Sequence, residues 1–248
     1  MGALHDGHIS LVKSAKAKKA TRIVSIFINP DQFSPKEDFD KYPSTIKNDL
    51  KLLRKERVDI VFLPNKEEIK KYKIKYKIPN FSIENKLCGK TRPHFFPGVK
   101  KIVTKLFDII EPDKSFFGEK DFQQYLVIKE LCKKMKLKTV IVKCKTVRDK
   151  KGLALSSRNN YLNEKEKKMA QKINKSVKKF LPFFRENLKV GRGTLKLKQD
   201  LFKHGIDSID YLKIFTEQLT IRKKLNDKCR LFIAVKIGNT RLIDNYKI

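Results

Sequence analysis

Apolar positions recur along the chain in two rhythms. Short β-branched runs at residues 22–28 (Arg-Ile-Val-Ser-Ile-Phe-Ile), 58–63, 115–117 and 138–142 predict strands. Between them, apolar residues three and four apart predict helices. Ile9, Leu11, Val12 and Ala15 mark the first. Ile46, Leu50, Leu52 and Leu53 mark another, with Thr45 as its cap, and a third carries Val99, Ile102, Val103, Leu106, Phe107 and Ile110. The almost unbroken apolar run at 22–28 is the pattern of a strand buried on both faces. Strand and helix alternating at this pitch predict a parallel α/β sheet. Residues 36–45, rich in charge, read as a mobile loop, and 70–78, where Lys, Tyr and Ile interleave, as a solvated helix face or an edge strand. From about Asn163 the character changes. A lysine-studded helix turns Met169, Ile173, Val177, Phe180 and Leu181 inward, a second helical segment follows Pro182, and strand-like runs occupy 209–215 and 231–237. The expected organisation is an α/β domain over 1–146 and a small α+β domain over 147–248.

Composition narrows this picture. A chain of 248 residues, 40% hydrophobic and with seventeen Phe, can bury a sizeable core. The net charge of +32 suggests an anionic partner, nucleic acid above all. Against that, only eleven of the 59 basic residues are Arg, whereas base-edge readout favours the guanidinium fork, and the lysines are spread along the whole length. Nucleic acid is therefore not the expected partner. Cys88, Cys132, Cys144 and Cys229 lie far apart without CxxC spacing, which argues for thiols in a reducing, cytoplasmic setting and against a protein-held metal. No apolar run approaches the length of a membrane span.

Candidate chemistry gathers in four places. Residues 5–8, His5-Asp6-Gly7-His8, stand at the predicted start of the first helix, where unpaired N–H groups and the dipole attract anions such as phosphate. Taken alone, the pair equally suits a capped surface helix. Asn29 and Gln32, either side of Pro30, follow the first strand at the sheet edge where α/β proteins bind ligands, and both can donate and accept. By spacing alone they are a simple turn. Gly118-Glu119-Lys120-Asp121, with Gln124 one turn beyond Lys120, opens another helix after a strand; a lysine there meets phosphate oxygens and an aspartate ribose hydroxyls, though a capped helix start has the same composition. Ser156-Ser157-Arg158 offers two hydroxyls and a guanidinium for a polyphosphate, or an ordinary Ser-rich turn.

In this order the motifs resemble the pantothenate synthetase family, ligases that join pantoate to β-alanine. The resemblance rests on residues 1–8 (Met-Gly-Ala-Leu-His-Asp-Gly-His), 27–33 (Phe-Ile-Asn-Pro-Asp-Gln-Phe), 117–121 with Gln123-Gln124, 155–159 (Leu-Ser-Ser-Arg-Asn) and 240–245 (Thr-Arg-Leu-Ile-Asp-Asn). It implies a Rossmann-like sheet domain followed by a C-terminal lid, a homodimer, and an AMP-forming reaction through pantoyl adenylate with ATP and Mg²⁺. Carried over by position, ATP would meet Met1, His5, His8, Gly118, Lys120, Asp121, Ser156, Ser157 and Arg158. His5, His8, Lys120 and Arg158 would act on the phosphates, and Asn29, Gln32 and Gln124 would hold pantoate.

Some positions depart from the family pattern. A helix and a strand normally precede the first motif; without that central strand a free sheet edge is expected. Phe95 stands in the place of a usual histidine in Arg92-Pro93-His94-Phe95-Phe96, Ser44 in that of an arginine and Lys145 in that of a proline. Two other classes fit parts of the sequence: another adenylate-forming or nucleotidyl-transferring enzyme with the HxGH motif, and a basic nucleic-acid-binding protein.

Overall fold

The computed structural model describes all residues except 35, 36, 38, 40, 187–190 and 225. The chain divides into two compact units, Met1–Lys145 and Thr146–Ile248.

The first unit alternates helix and strand: α1 Asp6–Ser14, β1 Ile23–Ser25, α2 Ile46–Lys55, β2 Ile60–Phe62, α3 Lys66–Lys71, α4 Leu87–Thr91, α5 Phe95–Ile110, β3 Lys114–Gly118, α6 Phe122–Lys134 and β4 Val140–Cys144. The strands are parallel, as the α/β reading requires, and they form two separate pairs, β1 with β2 and β3 with β4. On the edge of β1 opposite β2, the Met1 amine donates to Ser25 O at 2.7 Å and Phe27 N–H donates to Met1 O at 3.0 Å. That is the bonding of a parallel neighbour.

Burial of the strands is less complete than the apolar run at 22–28 predicts. Val24 and Ile26 are buried and pack with Leu4, Val12 and Leu53, but Ile23 is 38% exposed. Helix α2 also departs from expectation. Its buried positions are Asp49 and Leu53, Ile46 faces solvent, and the Thr45 hydroxyl donates to the Asp49 carboxylate instead of capping a backbone N–H. An acid outranks an isoleucine here because Asp49 has two partners to satisfy, Thr45 and the Leu4 amide. The segment after α3 forms neither of the elements considered for 70–78; it is tied to α5 by Tyr72 bonding Asp108 and by Lys100 reaching Pro79 O, Asn80 and Glu84. Of the loop at 36–45, residues 36, 38 and 40 lie outside the described residues. Phe39 and Tyr42 both pack on Phe33.

The second unit is α+β. Helices α7 Glu164–Glu186 and α8 Gly191–Lys203 accompany an antiparallel sheet of β5 Ser208–Thr216, β6 Cys229–Ile237 and β7 Thr240–Lys247, with β6 in the middle. Nearly every residue of β6 is buried, and Ile173, Val177, Phe184, Leu197 and Leu201 complete its core. Asn163 and Glu166 cap α7 reciprocally. Pro182 does not end this helix. Phe184, fully buried two residues further on, holds the last turn against the core, and packing outweighs the lost hydrogen bond. The closing motif 240–245, not read as a strand, supplies most of β7.

Candidate active site

The first helix starts where the sequence places it, and the two histidines build its cap. His5 Nδ1 accepts from Gly7 N–H at 3.1 Å, while His8 Nδ1 lies 3.4 Å from His5 N–H, a reciprocal box with imidazoles in place of the usual hydroxyl and carboxylate. The rings lie 4.1 Å apart. Because both Nδ1 atoms accept, the neutral rings carry their proton on Nε2, so each offers a donor away from its own backbone. Neutrality is enforced. Burial first, then His5, the terminal amine and Lys120, pushes His8 down to about 3, and burial followed by Lys120 lowers His5. The pair is thus a corner that offers two donors without adding full charge, which suits an anion such as phosphate. Two groups hold it in place. Asp49 accepts Leu4 N–H at 2.9 Å, and Met1 packs its side chain beside Leu4 and Val12. A lone acid on the apolar face of α2 was the available signal for Asp49.

Helix α1 packs against β3 and β4, and the end of β3 delivers the next group. Lys120 sits on a 3-10 turn, Glu119–Asp121, close enough to the two histidines to depress both. Gly118 precedes it with ordinary extended backbone, φ −71° and ψ 132°, and a Cβ built there would meet nothing within 4 Å. Glycine is not needed for the fold at this position, and the space where a side chain would stand is open. The adjacent glutamines divide their work. Gln123 is buried, accepts from Cys88 N–H and donates to Ile83 O and Lys86 O. Gln124 is half-buried, and its side chain makes no hydrogen bond among the described residues.

Asn29 and Gln32 border a 3-10 turn, Pro30–Gln32, pressed against α5. The contact is backbone to backbone: a Cβ on Gly98 would fall 2.2 Å from Asp31 O. Asn29 is 5% exposed, donates its amide to Gly98 O at 3.1 Å and accepts from Asp31 N–H. Lys101 reaches the Asp31 carboxylate at 2.7 Å.

In the second unit, Ser156 caps a 3-10 turn, Ser157–Tyr161, accepting from Arg158 N–H, and Ser157 is buried. Asn159 ties this turn back to Ala154 O. The structure therefore brings His5, His8 and Lys120 together in one unit and Ser156, Ser157 and Arg158 together in the other. Among the described residues no group of three His, Cys, Asp or Glu is placed to hold a metal, and no helix is long and apolar enough to cross a membrane.

A histidine-capped helix start, a lysine after the third strand and a parallel α/β scaffold define a nucleotide-binding α/β enzyme of the HxGH type. A family profile described as pantoate-beta-alanine ligase matches residues 1–247, and the chain belongs to that family. Pantothenate synthetases from Thermosipho africanus and Carboxydothermus hydrogenoformans are 38% and 42% identical to it, each over 99% of this chain and 88% of their own length. Among solved structures, pantothenate synthetase from Thermus thermophilus superposes with a TM-score of 0.90 at 32% identity, covering all of this chain and 90% of that one. The Francisella tularensis ligase, described as complexed with beta-gamma ATP and beta-alanine, gives 0.82 at 36% identity, covering 100% and 87%.

Proposed function

We propose that the chain condenses pantoate with β-alanine in an ATP-dependent, AMP-forming reaction that passes through pantoyl adenylate. Family membership across residues 1–247 supports the reaction, and the neutral imidazole pair beside Lys120 is the observation that ties it to this site. In the first half-reaction a carboxylate oxygen of pantoate attacks the α-phosphorus, the bond from that phosphorus to the bridging oxygen breaks, and pyrophosphate leaves. In the second, the amine of β-alanine attacks the acyl carbon, the bond to AMP breaks, and the nitrogen sheds a proton. Displacement at phosphorus demands alignment and charge neutralisation more than covalent help. His5 and His8 donate through Nε2–H, and Lys120 adds the positive charge that the leaving pyrophosphate requires. Ser156, Ser157 and Arg158 of the second unit are ligands for polyphosphate oxygens; in the first unit Gly118 and Asp121 meet the nucleoside, and Gln32 and Gln124 pantoate. Asn29, with its amide bonded to Gly98, steadies the turn that carries Gln32.

Magnesium fits this donor set as a companion of the phosphates. The nearby carboxylates, Glu119 and Asp121, are paired with Lys143 and Lys120, so they form no cage of their own. When bound, it would neutralise part of the triphosphate charge. A homodimer in the cytoplasm completes the reading, and four buried cysteines with no disulfide between them suit such a reducing compartment.

The test is pantoate-dependent exchange of pyrophosphate into ATP. Exchange is expected in the native chain and should fall by about 10² or more in His8→Ala, the order seen when an electrostatic donor is removed. Exchange supported by another carboxylic acid but not by pantoate would overturn the substrate assignment. Unchanged exchange in His8→Ala would overturn the site.

A further inference from the structure

Arg92 is a buried cation that the reaction as written does not use. It lies at the C-terminal end of α4, only 9% exposed, with Nε and Nη2 of its guanidinium engaged. Nε donates to Glu37 Oε1 at 2.7 Å and Nη2 to the other Glu37 oxygen, giving a fork-to-fork pair. The same Nη2 donates to the backbone carbonyl of Gln32 at 3.0 Å. Beneath it the Phe95 ring lies 4.2 Å from the guanidinium carbon, which fixes the plane of the group. Phe95 is also one of the residues that depart from the family pattern.

These contacts close around one short segment. Gln32 is gripped at its carbonyl by Arg92. The residues before it are gripped from α5 by the Gly98 contact, the Asn29 bond and the Lys101–Asp31 pair, and Glu37 after it is gripped by Arg92 again. The side-chain amide of Gln32 makes no hydrogen bond among the described residues, and Gln32 is half-buried. A carbonyl held by a planar, stacked cation has little freedom to rotate, so the Cα–Cβ direction of Gln32 is set before any ligand arrives.

We propose that Arg92 is a positioning residue for pantoate: clamped between Glu37 and the Phe95 ring, it fixes the Gln32 backbone so that the Gln32 amide meets pantoate in the orientation that in-line attack needs. The inference rests on the reading of Gln32 as a pantoate ligand, and the experiment separates the two. Arg92→Gln, Arg92→Lys, Glu37→Gln and Gln32→Ala are compared in the exchange assay, with KM measured separately for pantoate and for ATP and folding followed by thermal melts.

Arg92→Gln is expected to raise the pantoate KM by about tenfold or more, as misplacing a positioning group does, while the ATP KM stays within about twofold. Arg92→Lys, which keeps the charge but loses the fork, falls between, and Glu37→Gln shifts the pantoate KM the same way. A loss of kcat in Arg92→Gln with both KM values unchanged would mark a purely structural arginine and overturn the inference. Should Arg92→Gln not fold, Glu37→Gln decides, and an unchanged pantoate KM there overturns it too. A Gln32→Ala variant with native pantoate KM removes the ligand reading and the inference with it. If Gln32→Ala raises that KM and Arg92→Gln does not, the inference alone fails.

Discussion

Arg148 and Asp244 form a two-bond ion pair within the second unit, Nη1 to Oδ2 at 2.5 Å and Nη2 to Oδ1 at 2.9 Å, across 96 residues of sequence. Arg148 also donates to Gly152 O and stacks on Tyr246. The pair joins the segment that leads to Ser156, Ser157 and Arg158 to the last strand of the sheet. It explains why an aspartate belongs in the closing motif: Asp244 is structural, and it acts on the segment before the serine-serine-arginine turn through Arg148.

Asp244→Ala should therefore destabilise the protein and loosen that turn. Breaking a fully buried pair costs about 3–5 kcal/mol, and with the Arg148 side chain 23% exposed to water a loss of about 2–3 kcal/mol is expected. Urea unfolding measures it. The ATP KM should rise as well, and a variant with native stability would show that solvent replaces the carboxylate.

Gly118→Ala separates ligand approach from folding. Its backbone suits any residue and its surroundings are open, so stability should change by no more than about 0.5 kcal/mol. The ATP KM should nevertheless rise by about tenfold, because the methyl occupies the space that the nucleoside approaches. Equal ATP KM values in the two proteins would place the nucleoside elsewhere.

The histidine corner predicts a pH dependence of stability in the ligand-free protein. His8 is held at about 3 when folded, against an ordinary value of 6.5. Above pH 6.5 the ring is neutral in both states and contributes nothing. Between 6.5 and 3 the unfolded chain binds a proton that the folded chain refuses, so stability falls as pH falls, by at most about 1.4 kcal/mol per pH unit from this group. Comparing urea midpoints of native protein and His8→Gln at about pH 7, 5.5 and 4.5, on either side of the ordinary histidine value, isolates the effect. Parallel curves would mean that His8 takes up its proton in the folded state.

Much of the site was legible in the residues themselves, because its parts are local. A helix start with two histidines, a glycine-lysine-aspartate turn after a strand and a serine-serine-arginine turn each do their work within a few residues, and the structure finds all three as helix caps or 3-10 turns. Arg92, Asp49 and Gly98 were not legible as parts of the site. Each acts through a partner far away in the chain: Arg92 on Glu37 and Gln32, Asp49 on Leu4, and Gly98 on Asp31. No local pattern marks Arg92 or Gly98, and for Asp49 the lone acid on the apolar face of α2 gives the position but not the partner.

By itself, then, the sequence determined the parallel α/β class, the change of character before the C-terminal α+β unit, and the local form of the candidate motifs, since strand period, helix period and capping chemistry are short-range properties. The tertiary structure decided which of two neighbouring glutamines is buried, that α7 runs through Pro182, that residues 240–247 complete a sheet, and which face of α2 turns inward. Those outcomes depend on burial and on hydrogen-bond partners distant in the chain, and packing outweighs local propensity wherever a buried polar group must find its partner.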